Sequence, residues 1–244
     1  LTAGHDSCFF SFAQISDIHW GKDDSISRRQ ILEEQIDKIN RRGVDFTIIS
    51  GDLIHMMKLY RFNELKGLLS RLNKPFYLVP GNHDVGMITS LETLKNYRDL
   101  IGDDFYSIEH KKSLFIMVNT QLWTQKTSPE SSTQDTWLNN LLKKRTGDFC
   151  NIFIIGHKPL FLDSINERYH PNENIPLKKR LELITLFRKY NVTAVLGGHL
   201  HRYNLREDSG IAFINTESIN YNGGTVRVWN VRTRDEFFKV NNLK

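Results

Sequence analysis

The chain has 244 residues, of which 39% are hydrophobic and 25% charged, with a formal net charge of +5. That length can bury one sizeable core, and a single domain over residues 1–244 is expected. No apolar run is long enough to span a bilayer, no secretory leader is visible, and the basic residues fall in scattered pairs and triplets without interleaved aromatics, so membrane and specific nucleic-acid signals are both lacking. The expected compartment is the cytoplasm, ahead of export after processing. Cys8 and Cys150 each lie beside an apolar segment, outside any metal-type spacing, and read as two buried thiols.

Apolar runs alternate with amphipathic helices along the chain. Residues 8–16 read as a strand. Residues 27–42 carry Ile31, Leu32, Gln35, Ile36 and Ile39 at helical spacing. A strand follows at 44–50. A helix at 61–72 has Leu65, Leu68, Leu69 and Leu72 on one face. A short strand at 75–80 precedes a helix at 88–101, with a cap expected at Thr89 or Ser90. A strand at 113–120 leads to a helix at 132–144, with Trp137, Leu138, Leu141 and Leu142 turned inward. Then come a strand at 151–156, a helix at 177–190 and a strand at 192–198. The tail holds strand-like pieces at 210–216, 224–231 and 236–240. The alternation argues for an α/β fold with mostly parallel strands, and the tail for a second, more antiparallel sheet.

The same event closes five of these strands. "AQIS" runs into Asp17-Ile18-His19, and "TIIS" into Gly51-Asp52. "YLVP" runs into Gly81-Asn82-His83-Asp84, "FII" into Gly156-His157, and "AVLG" into Gly198-His199-Leu200-His201. Open α/β sheets place their sites outside the carboxyl ends of strands, so five such ends from one sheet can meet at one pocket. Asp17/His19 and His199/His201 are i, i+2 pairs, which an extended backbone would point to one side. Four of the five motifs contain a Gly before the ligand candidate, which permits positive φ and close backbone approach. Five of the nine histidines fall in these motifs.

Seven of the side chains, Asp17, His19, Asp52, Asn82, His157, His199 and His201, are too many for one ion. A bridging carboxylate gives four ligands to each of two. Imidazole and carboxylate without thiolate suit Mn, Fe or Zn. Two ions, two carboxylates and one hydroxide leave the site near +1, a seat for phosphate.

The order D-x-H, GD, GNH[D/E], H, GHxH resembles the calcineurin-like metallophosphoesterase superfamily, and "STQDTWLNNLL" is similar to its Gln-x-x-Trp-Leu helix. Overall length and spacing are most similar to the class III cyclic-nucleotide phosphodiesterase branch. The resemblance implies a four-layer α/β/β/α sandwich, two mixed sheets flanked by helices. It implies two divalent or mixed-valence ions: Asp17, His19 and His201 on one, Asn82, His157 and His199 on the other, and Asp52 bridging. His83 would protonate the leaving oxygen or stabilise charge over the phosphate, with Asp84 either orienting it or capping the following helix. The implied activity is hydrolysis of a phosphate ester by a bridging hydroxide. A small diester such as a cyclic nucleotide is the first expectation, and a monoester or nucleotide pyrophosphate the alternative. A non-catalytic scaffold is disfavoured because every ligand position is retained. The partner is then a small phosphorylated substrate, with nucleotides among the candidates. Purple acid phosphatases carry Tyr where this chain has His55, so a tyrosinate–iron site is not expected. His55 is expected to pack or face solvent. Loops 121–131 and 160–176, with Trp20, Trp123, Tyr169 and His170 as stacking candidates, would decide the substrate.

Overall fold

The computed structural model describes residues 8–22, 26–220 and 224–241. Two mixed sheets lie face to face. The first contains β1 (Phe10–Ile15), β2 (Phe46–Ser50), β3 (Phe76–Val79) and β10 (Arg227–Val231), in the order β10-β1-β2-β3. The second contains β4 (Tyr106–His110), β5 (Ser113–Met117), β6 (Asn151–Ile155), β7 (Ala194–Gly197), β8 (Asn204–Asp208) and β9 (Ile211–Asn215), in the order β4-β5-β6-β7-β9-β8. The central strands are parallel and the edge strands β10, β4 and β8 antiparallel.

Alternation along each strand builds three cores from two sheets. Phe10 and Phe12 of β1, Phe46 and Ile48 of β2, Phe115 and Met117 of β5, and Phe153 and Ile155 of β6 fill the slab between the sheets. Ala13, Ile15 and Ile49 turn outward under α1 (Ile26–Arg42), α2 (Leu59–Leu69) and α4 (Leu91–Leu100). Leu114, Ile116, Ile152 and Ile154 turn outward under α6 (Glu130–Arg145) and α7 (Leu177–Lys189). Both faces of the inner strands are buried, which is why they read as continuous apolar runs. The four-layer α/β/β/α architecture stands.

The tail does not form a sheet of its own. β8 and β9 extend the second sheet beyond β7, while β10 returns to pair with β1. The two sheets instead divide in mid-chain, between β3 and β4. Residues 236–240, expected as a strand, lie in helix α8 (Arg234–Val240), which puts Phe237 and Phe238 into the central slab. Strands β4 ("YSIEH") and β8 ("NLRED") were not expected. They are polar edge strands, and an edge does not need an apolar run. Ser90 caps α4 by accepting the Thr93 N–H at 3.1 Å. Cys8 and Cys150 are joined in a disulfide and are not the two free thiols expected; Cys8 lies two residues before β1 and Cys150 directly before β6.

Candidate metal centre

The five strand ends meet, but from two sheets and not one. β1, β2 and β3 deliver Asp17, His19, Asp52 and Asn82, and β6 and β7 deliver His157, His199 and His201. Parallel pairing continues past the strands: Asp17 N–H donates to the Gly51 carbonyl at 3.0 Å and His19 N–H to the Asp52 carbonyl at 2.8 Å. Gln14 stitches the facing sheets just below, donating to Ser50 Oγ and to the Gly197 carbonyl, each at 3.0 Å.

The turns that aim these side chains are not extended. Asp17, His19, Asp52, His199 and His201 all have positive φ, between 47° and 72°. Only three other described non-Gly residues do so, which makes the left-handed turn a property of the site. The i, i+2 pairs therefore share a direction because every second residue is kinked. Gly81 and Gly198 serve close approach without positive φ. A Cβ on Gly81 would collide with Asp52 Oδ1, and one on Gly198 would collide with Ser16 Oγ.

Most of these side chains engage the protein with one atom and turn another to the centre. Asp17 Oδ2 accepts the His199 N–H at 3.0 Å, while Oδ1 is buried with no hydrogen-bond partner, 3.1 Å from His201 Nε2. Asp52 Oδ1 accepts the His83 N–H at 2.9 Å; its Oδ2 lies 3.5 Å from His19 Nε2 and 3.2 Å from His157 Nε2. Asn82 Nδ2 faces Met87 Sδ at 3.0 Å and its Oδ1 is a buried orphan. His157 Nδ1 donates to the Ser50 carbonyl at 2.7 Å, and His199 Nε2 to the Asn172 carbonyl at 2.5 Å. That leaves His157 Nε2 and His199 Nδ1 facing each other at 3.3 Å, and His19 Nε2 faces His201 Nε2 at 3.1 Å.

Facing ring nitrogens and orphaned buried oxygens are what a cation would satisfy. Asp17, His19 and His201 form one cluster with donor atoms within 4.8 Å of one another, and Asp52, His157 and His199 form another. Asp52 Oδ2 sits between the histidines of both. The donor set fits two borderline divalent ions.

Electrostatics follow from burial and two carboxylates. Burial alone would lower His157, but Asp52 and Asp17 overcome it and raise its pKa to about 9. Burial lowers His19 and His199 to about 4, against the pull of the carboxylates. Burial would raise Asp17 and Asp52, yet the facing imidazoles hold both below the ordinary carboxylate range.

His83 lies beside this centre. Its Nδ1 donates to the His55 carbonyl at 2.9 Å, and its ring stacks on that of His55 with centroids 4.9 Å apart. Asp84 does not touch the His83 ring. Its carboxylate accepts from the backbone N–H of Gly81, Leu53 and Ile54 at 2.8–3.1 Å, and not from the His83 ring or the first turn of α4. It braces the turn that carries Asn82 and His83 in α3 (Asn82–Val85) against the turn that carries Asp52. Burial and the charge of Asp52 raise its pKa to about 7.

Trp123 is buried in the outer core with its indole N–H on Asp135, and Trp20 packs against the first outer core with its N–H on Glu64; neither is positioned as a stacking platform. Loop 160–176 does reach the centre, through the Asn172 carbonyl and not through Tyr169 or His170. The residues that hold this loop carry no periodic or motif signal. Arg180, fully buried, donates to the carbonyls of Ile165, Glu167 and Ile175. Lys158, next to His157, donates to the Pro171 carbonyl at 2.8 Å.

A family model described as calcineurin-like phosphoesterase matches residues 10–203, the span holding every ligand candidate. The chain belongs to the calcineurin-like phosphoesterase family. Among curated relatives, the rat serine/threonine-protein phosphatase CPPED1 is 31% identical over 193 residues, covering 75% of this chain and 61% of that protein. The human counterpart is 30% identical, covering 75% and 62%. The chain thus spans about three-fifths of the length of these relatives. A probable cyclic nucleotide phosphodiesterase of Ruthia magnifica subsp. Calyptogena magnifica is 24% identical, covering 79% of this chain and 78% of that one. A crystal structure of a dimetal phosphatase from Danio rerio shares the calcineurin-like fold, with a TM-score of 0.67, 15% identity and coverage of 92% and 96%.

Proposed function

We propose that this protein hydrolyses phosphate esters at a dinuclear centre held by Asp17, His19, Asp52, Asn82, His157, His199 and His201. The observation that carries this reading is the set of inward-turned donors, above all the orphaned Asp17 Oδ1 and Asn82 Oδ1. Asp17, His19 and His201 would hold one ion and Asn82, His157 and His199 the other, with Asp52 serving both. When bound, two such ions supply a nucleophile at neutral pH and neutralise phosphoryl charge. Manganese, iron and zinc all suit the donors.

The chain's own part is orientation and proton delivery. Asp17 and Asp52 bring the buried negative charge that would offset two cations. The Ser50 and Asn172 carbonyls select the tautomers of His157 and His199. His83, with Nδ1 held by the His55 carbonyl, offers Nε2 to protonate the leaving oxygen.

The substrate is first a phosphomonoester, because the relatives at 30–31% identity are named phosphatases. A diester reading is supported by the relative named a probable cyclic nucleotide phosphodiesterase. Both are tested by assaying the manganese-loaded protein on phosphoserine peptide, nucleoside monophosphates, cyclic nucleotides and sugar-nucleotides. Turnover of monoesters alone supports the first and turnover of cyclic nucleotides the second. A protein that binds no transition metal and cleaves none of these refutes the whole reading.

A further inference from the structure

Three of the chain's four methionines, Met56, Met57 and Met87, line one cavity. The fourth, Met117, is in the central slab. The cavity measures about 520 Å³, and His55, His83 and Asn96 also line it. It is thus continuous with the proposed centre on the side of the proton donor. Its walls come from three segments: the turn after β2, the turn after β3 with α3, and α4, which contributes Thr93 and Asn96.

No lysine, arginine or glutamate lines this cavity. Asp84 contributes to the wall, with its carboxylate oxygens engaged by the backbone N–H groups of Gly81, Leu53 and Ile54. Met56 and Met87 are 50% and 55% exposed. The chain runs from them into further exposed apolar side chains, Leu59 and Tyr60 on one segment and Ile88 and Leu91 on the other. Thioethers are polarizable and flexible, and they favour contact with aromatic rings.

We propose that this cavity seats the leaving group and selects phosphate esters of aromatic alcohols. This deepens the phosphoesterase reading and rests on it. In the reaction, the bond from phosphorus to the alcohol oxygen breaks, with its electron pair staying on that oxygen. The oxygen takes the proton from His83 Nε2. Water oxygen forms the new bond to phosphorus, and a proton from that water passes to solvent or returns to His83. The ring then leaves as a neutral phenol lying among the methionines.

Binding, and not turnover, is the test, because aryl esters hydrolyse faster for intrinsic reasons. Calorimetry on the manganese-loaded protein would compare inorganic phosphate, methylphosphonate and phenylphosphonate. Phenylphosphonate is expected to bind at least tenfold tighter than methylphosphonate. In Met56→Ser that advantage falls at least threefold while the affinity for methylphosphonate is unchanged; Met56→Leu keeps most of it. Equal affinity for the two phosphonates in the native protein overturns the proposal, as does an advantage that survives Met56→Ser intact. If inorganic phosphate itself does not bind, the phosphoesterase reading fails and this proposal falls with it. Phosphate binding without aryl preference leaves that reading standing and removes only the leaving-group pocket.

Discussion

Asp52 and His83 separate two kinds of work at adjacent positions. Asp52 Oδ2 faces the histidines of both clusters, so one amide substitution weakens both ions at once. Asp52→Asn is expected to lose most bound metal and nearly all activity. The hydrogen bond from His83 to Asp52 comes from its backbone N–H and survives loss of the side chain, so His83→Ala is expected to keep its metal and slow turnover by about 10²–10⁴. Elemental analysis beside a rate assay checks both, and equal metal loss in the two variants contradicts the division. His157 sets the pH response of loading. Below about pH 9 its metal-free ring keeps a proton that an incoming cation must expel. His19 and His199, lowered to about 4, are already neutral at pH 7. Apparent manganese affinity should therefore rise by up to about tenfold per pH unit from 7 towards 9 and then level off. Titrations in buffers of different ionisation heat should register about one proton released; pH-independent binding without proton release would sink the argument.

At the scale of elements, the loop over 160–176 is held by two buried side chains, Arg180 and Lys158. Arg180, on α7, ties three carbonyls of the loop, and the loop in turn offers the Asn172 carbonyl to His199. Arg180→Met keeps the volume but strands those carbonyls. The expected cost is about 3 kcal/mol, with faster proteolysis inside the loop. It should also weaken the ion on His199 by about 10–100-fold, since an imidazole without its outer partner is a poorer ligand. Chemical denaturation and metal competition measure the two effects, and unchanged metal affinity in a folded variant would remove the loop from the site.

The whole molecule places its site where the strand-end loops of two facing sheets meet. Gly198 lies against Ser16 and Asp17 of the facing sheet's loop, and an added Cβ would collide with Ser16 Oγ and come within 2.6 Å of Asp17 Oδ2. Gly198→Ala should cost about 1–3 kcal/mol by overpacking and lower metal content by pushing Asp17 aside. Gly67 is the control: it lies in α2, where a methyl group in place of its hydrogen would meet nothing within 4 Å, so Gly67→Ala should raise stability by about 0.5–1 kcal/mol. Thermal melts on both variants read the contrast. A Gly198→Ala protein as stable and as fully loaded as the native one would show that the sheets can part without cost.

The ligand candidates, the inner strands and the long helices were legible from sequence alone. Both signals are local: a buried strand needs an unbroken apolar run, and a site outside its end needs its donor in the next residues. Tertiary structure decided what depends on distant chain segments. It split the strand ends between two facing sheets and drew β10 back beside β1. It turned 236–240 into a helix because Phe237 and Phe238 had a slab to fill. It moved Asp84 from the His83 ring to three backbone amides. It also bent the ligand residues into left-handed turns, a conformation no non-glycine sequence announces, because only the packed sheets supply the contacts that hold it.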